Sequence, residues 1–172
     1  MKIFVTSRQG IQTITKAFSK ENRPEKIAII SITDPGAKPA SITRMPGFSG
    51  IIRLRFDDVE QDYFWHGQFL NAMRPWQAKE IADFVNEVED KIDFLFVHCE
   101  AGISRSAGVA AAISRYKFGN DREFFESGRY SPNMNCYKLT LEAFGYKMDP
   151  MTLEELEKIN IQSIKKKYDE EN

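Results

Sequence analysis

His98-Cys99-Glu100-Ala101-Gly102-Ile103-Ser104-Arg105-Ser106 separates two stretches of different periodicity, and its reading decides the fold. Before it, Phe94-Leu95-Phe96-Val97 is a short run of aromatic and branched residues of the kind that fills a buried strand. After it, residues 106–118 are apolar nearly all round through Ala107, Val109, Ala110, Ala111, Ala112 and Ile113, which predicts a buried helix. The loop therefore ends at a helix N-terminus, where unpaired N–H groups and the helix dipole attract an anion.

Cys99 opens this loop, and the same positive field favours thiolate over thiol at its sulfur. Arg105 can fold back to offer a planar fork of donors to two phosphate oxygens. Gly102 permits the tight turn that makes the amides of Glu100, Ala101, Gly102, Ile103 and Ser104 converge, and Ser104 and Ser106 place hydroxyls beside the sulfur. These parts suit covalent phosphoryl transfer to cysteine, in which positioning and charge stabilisation carry most of the catalysis.

On His-Cys-x-Ala-Gly-x-Ser-Arg-Ser, set between a strand and a helix, the chain resembles the cysteine-based protein tyrosine phosphatases, in their dual-specificity branch. The resemblance spans residues 27–144. It implies an α/β fold with a central mixed, mostly parallel sheet flanked by helices, Cys99 as nucleophile, Arg105 as phosphate clamp and Ser106 easing departure of the thiolate. His98 is implied to support the loop without doing chemistry. Ser131-Pro132-Asn133 before the last core helix is a second point of likeness, with Asn133 capping that helix and tying it to the phosphate loop.

The chemistry also needs an acid for the leaving oxygen. Residues 51–56 read as a strand with Leu54 and Phe56 inward, followed at once by Asp57-Asp58. Relatives place their acid just after such a strand, and Asp58 matches that position better, with Asp57 as the alternative. The Trp-Pro-Asp triplet of tyrosine-specific members is absent. Asp149-Pro150 is reminiscent of the low-molecular-weight tyrosine phosphatases, but their cysteine loop lies near the N-terminus, whereas Cys99 is mid-chain.

Working outward, 172 residues with 42% hydrophobic content predict a single domain over 1–172 with a sizeable core. Within it, 1–26 form an N-terminal strand and helix, and 150–172 a C-terminal helix and tail opened by a capping box at Thr152. Further strands are expected over 3–6 and 26–32, with a turn at Asp34-Pro35-Gly36 and a loop over 37–50. The aromatic stretch 62–70 is expected to be a mobile loop or short helix flanking the pocket, or core, and 75–90 a helix with Ile81, Phe84, Val85 and Val88 inward.

A net charge of −1 offers no argument for nucleic acid or an anionic membrane, so phosphate affinity has to be local. No stretch reads as a membrane span or a signal peptide. Two cysteines, Cys99 and Cys136, argue against a disulfide scaffold and for a reducing cytoplasm, or a host cytoplasm if the protein is phage-encoded. No metal-ligand spacing is present, and no cofactor is expected. The expected partners are a phosphorylated protein or peptide and the phosphate ion. Alternatives are a phosphate-binding protein without turnover, and a phosphatase of lipid or RNA phosphates; Glu100 on the loop makes a polyanion less welcome.

Overall fold

The computed structural model describes residues 1–171. A four-stranded sheet carries strand β6 (Phe94–Cys99) in its interior, in the order β1-β6-β2-β3, where β1 is Lys2–Ser7, β2 Ile27–Thr33 and β3 Phe48–Arg55. All three pairings are parallel, with Val5 and Ile30 both opposite Val97. The expected architecture is thus present, and its antiparallel part lies outside this sheet, in a hairpin of β4 (Tyr63–Trp65) and β5 (Gln68–Leu70).

Strand β2 is buried along its whole length, because it is flanked by strands and covered on both faces. Alternate residues go to opposite sides. Ile27 and Ile29 join Ile11 and Phe96 in a smaller cluster under helix α1 (Arg8–Lys20). Ala28, Ile30 and Ile32 join Leu54, Phe56, Leu95 and Val97 in the larger core. That core is closed by α2 (Pro75–Val88), α3 (Arg105–Phe118) and α5 (Met134–Ala143), with the short α4 (Arg122–Glu126) between the last two in sequence. Ile81, Phe84, Val85 and Val88 of α2 face inward as their spacing predicts.

The two chain ends differ from expectation in instructive ways. Helix α1 starts directly at Arg8, because the Ser7 side chain accepts a hydrogen bond from the Gly10 amide and caps it. Helix α6 (Pro150–Glu171) starts two residues before the expected capping box. Pro150 suits a first turn, and the Asp149 carboxylate accepts from the Met151 amide at 3.2 Å, so Asp149 caps a helix. Asn160 fastens α6, donating to the carbonyls of Phe125 and Tyr130.

Segment 62–70 is neither helix nor core. Its turn is His66-Gly67, both at positive φ (47° and 81°), which is the backbone of a two-residue hairpin. Tyr63, Phe64, Trp65 and Phe69 stand in solvent, with relative exposures of 42%, 68%, 58% and 57%. Among the described residues no helix is long and apolar enough to cross a membrane.

Candidate active site

Cys99 is the last residue of β6, and Arg105, with five residues between them, begins α3, so the quoted loop joins the sheet's carboxyl edge to a helix N-terminus. The sulfur is buried, lies 3.0 Å from Ser106 Oγ and accepts from the Gly102 amide at 3.3 Å. Gly102 is required twice over. Its φ is +74°, and a Cβ there would sit 2.5 Å from the Thr6 carbonyl carbon.

The loop leans on the first β-α unit of the chain, outside the stretch on which the family likeness rests. Arg8 donates its amide to the Glu100 carbonyl at 3.1 Å and pairs its guanidinium with the Glu100 carboxylate at 3.1 Å. The Glu100 side chain is therefore directed at Arg8. On the other flank, the carbonyls of Ile103 and Ser104 accept from the amides of Ser131 and Asn133, while the Ile103 side chain and Ala101 are exposed.

Arg105 is only 3% exposed. Its Nη1 donates to the Phe56 carbonyl at 2.8 Å and lies 2.6 Å from Asp34 Oδ1. Nε is buried without a hydrogen-bond partner among the described residues, and Asp58 Oδ2 faces it at 3.7 Å. With Nη1 engaged, the edge made by Nε and Nη2 remains as the guanidinium's two-pronged donor face.

The two aspartates after β3 separate by their partners. Asp58 Oδ1 accepts from Ser104 Oγ at 2.7 Å and from Asn133 Nδ2 at 3.2 Å, which puts the carboxylate at the phosphate loop. Asp57 turns the other way: it exchanges backbone and side-chain hydrogen bonds with Asn71 at the base of the hairpin. Ser104 thus serves the carboxylate and not the sulfur, contrary to the expectation that both serines lie beside it. Asn133 does double duty, its Oδ1 capping α5 by accepting from the Cys136 amide at 2.9 Å.

His98 is buried, with Nε2 2.8 Å from Ser31 Oγ and Nδ1 3.3 Å from the Cys99 carbonyl. A carbonyl only accepts, so Nδ1 carries the proton and Nε2 accepts from Ser31. Burial pushes the imidazole down to about 4, with the charges of Arg53 and Arg8 in the same direction and the Cys99 carbonyl against it. His98 is a neutral cross-link between β6 and β2. Cys136 is fully buried, its thiol pushed up by burial, and both cysteines are free.

Asp34 opens the segment 34–44 that the family resemblance implies as one wall of the pocket, whereas Glu60 carries no such signal in the sequence. Asp34 read as a turn former, and it is one: the Ala37 amide donates to its carbonyl, with Pro35 and Gly36 at the corner. Its place over Arg105 arises only because β2 and β6 are neighbours. Glu60 Oε1 accepts from the Met134 amide at 2.9 Å, binding the segment that carries Asp58 to the start of α5. Next to the loop a cavity of about 450 Å³ is lined by Asp58, Val59, Glu60, Gln61, Tyr63, Ser104, Ser131, Pro132 and Asn133. No group of three or more His, Cys, Asp or Glu side chains is arranged to hold a metal ion among the described residues.

The human tyrosine phosphatase-like serine/threonine/tyrosine-interacting protein superposes on 83% of this chain and 91% of its own, with a TM-score of 0.58 and 17% identity. The fold is that of the dual-specificity phosphatases. A mouse putative dual-specificity phosphatase, solved with zinc tungstate, covers 82% of this chain and 80% of its own at a TM-score of 0.54 and 18% identity. PTPMT1, solved in complex with PI(5)P, covers 84% and 90% at a TM-score of 0.56 and 14% identity. No family model matches the chain, and no curated protein does. The dual-specificity phosphatase fold accounts for the cysteine standing at the carboxyl edge of a central strand, the position at which parallel α/β sheets bind ligands.

Proposed function

We propose that this chain is a phosphoric monoester hydrolase acting on phosphotyrosine, and on phosphoserine or phosphothreonine where the pocket admits them. The observation that carries the reading is one strand–loop–helix passage that sets the Cys99 sulfur against the Ser106 hydroxyl and, at its other end, the Nε of Arg105, without a hydrogen-bond partner, opposite the Asp58 carboxylate.

The reaction has two balanced steps. The Cys99 thiolate attacks phosphorus to form an S–P bond. The ester P–O bond breaks, and its electron pair goes to the leaving oxygen, which takes a proton from protonated Asp58. A water then gives a proton to the Asp58 carboxylate and attacks phosphorus. The S–P bond breaks, phosphate leaves, and the returning thiolate is met by the Ser106 hydroxyl and the Gly102 amide. The Nε–Nη2 edge of Arg105 holds the equatorial oxygens in both steps.

Turnover of p-nitrophenyl phosphate and of phosphotyrosine between pH 5 and 8, with and without a chelator, tests this. Chelator-insensitive hydrolysis by wild type that is lost in Cys99→Ser supports the reading. A folded, reduced wild type inactive on both substrates overturns it. PTPMT1, solved with PI(5)P, raises a lipid phosphate as a second reading. Between Phe56 and Met73, however, this chain has Asp57, Asp58, Glu60 and Asp62 and no Lys or Arg, which disfavours a headgroup with several phosphates.

A further inference from the structure

Among the described residues, the β4–β5 hairpin is where large aromatic side chains gather outside the core beside the cavity. Its strands are three residues each, and every residue of β4 is exposed. Alternate residues share a face, so Tyr63 and Trp65 lie together, their ring centroids 6.3 Å apart. Pairing adds Leu70, opposite Tyr63, to that face, while Phe64 and its partner Phe69 occupy the other. Tyr63 also lines the cavity beside Asp58 and Ser104, so the Tyr63–Trp65 face continues the cavity wall outward.

The hairpin base is fixed. Asp57 pairs with Asn71, and Asp62 accepts from the Ala72 amide at 2.8 Å and pairs with Arg74 at 2.7 Å. The segment carrying Asp58 and the aromatic hairpin are therefore one continuous, tethered piece of chain. A rigid exposed aromatic surface adjoining a site marks a place where a partner is bound. The charge around it selects the partner. Four carboxylates and no Lys or Arg lie between Phe56 and Met73; Asp62 pairs with Arg74 and Asp58 faces Arg105, which leaves Asp57 and Glu60 without a cation, and this net negative field repels an anionic lipid surface or a nucleic acid.

We infer that the Tyr63–Trp65 face of the hairpin docks the residues flanking the phosphorylated side chain of a phosphoprotein substrate, and that it favours apolar and basic flanks. This rests on the phosphatase reading of the site and names its substrate class. An apolar flanking side chain buries against Trp65, and a Lys or Arg beside it meets the acidic segment.

The test uses Cys99→Ser protein and three labelled phosphotyrosine peptides of equal length, with Leu/Arg, Gly/Ser or Leu/Glu flanks, and reads binding by fluorescence anisotropy. The Leu/Arg peptide binds about tenfold tighter than the Gly/Ser peptide, and the Leu/Glu peptide falls below it. Trp65→Ala removes the preference, Trp65→Thr, with a strand-forming residue, removes it equally, and Phe69→Ala on the opposite face retains it. Equal affinities for the three peptides overturn the inference, as does a preference that survives both Trp65 variants. So does competition by phosphatidylcholine vesicles that co-sediment with the protein, which would make the face a membrane contact. Hydrolysis of p-nitrophenyl phosphate by wild type is scored separately, so a failed docking surface and a failed catalytic reading give different results.

Discussion

Asp34 Oδ1 lies 2.6 Å from Nη1 of Arg105, and together with the Phe56 carbonyl it occupies that nitrogen, leaving the Nε–Nη2 edge for an anion. Asp34 thus acts as a positioning residue for the guanidinium. Asp34→Ala is expected to raise KM for phosphotyrosine about tenfold, or about 1.4 kcal/mol, with a smaller change in kcat. Inhibition by inorganic phosphate weakens in parallel. Stability changes little, since the Asp34 side chain is 46% exposed and a half-exposed pair is heavily screened. Tighter phosphate binding in the variant would show instead that Asp34 competes with substrate.

Asp57 and Asp58 separate by substrate. Asp58→Asn lowers kcat on phosphotyrosine by about 10²-fold or more, the range for loss of a general acid, and lowers it far less on p-nitrophenyl phosphate, whose leaving group needs little help. Asp57→Asn acts through the hairpin base at Asn71 and lowers thermal stability more than it lowers kcat. Parallel kinetics and melting curves on the two variants check this. The opposite ranking would move the acid to Asp57.

Glu60 holds the acid segment by capping Met134 at the start of α5. Glu60→Ala is expected to reduce kcat on phosphotyrosine about tenfold, with p-nitrophenyl phosphate nearly unaffected. Glu60→Gln, which keeps an acceptor oxygen, restores most of the loss. Such a pattern separates positioning of Asp58 from a general loss of structure. Equal losses on the two substrates would rule positioning out.

His98 makes stability depend on pH. Its folded value of about 4 lies below the ordinary 6.5, so above pH 6.5 it is neutral folded or unfolded and the stability is intact. As pH falls from 6.5 toward 4 the unfolded chain takes up a proton that the folded one refuses. About 3 kcal/mol is lost over that window. Urea midpoints at pH 7.5 and 4.5 should fall further for wild type than for His98→Asn, which has no such proton to bind; equal falls would show that His98 contributes nothing.

Much of the site was legible because its logic is local. Cys99, Gly102, Arg105 and Ser106 belong to one strand–loop–helix passage, in which spacing dictates which groups meet at the sulfur. Asn133 was legible as a cap for the same reason. Which of Asp57 and Asp58 stands at the loop was not legible, because only the fold gives Asp57 to Asn71 and Asp58 to Ser104 and Asn133. The hairpin had a readable signal in His66-Gly67, which the surrounding aromatics obscured by looking like core.

By itself the sequence determined the α/β class, the strand–loop–helix passage through Cys99 and Arg105, and the inward faces of β3 and α2, since these follow from periodicity and short-range spacing. Tertiary structure alone decided that Asp34 aims Arg105, that Arg8 and Thr6 support the loop, and that Tyr63 and Trp65 face solvent beside the cavity. The reason is physical: which strand lies beside β6, and what covers an aromatic side chain, are set by packing between distant segments, and residue type at a single position does not encode the neighbour it will meet.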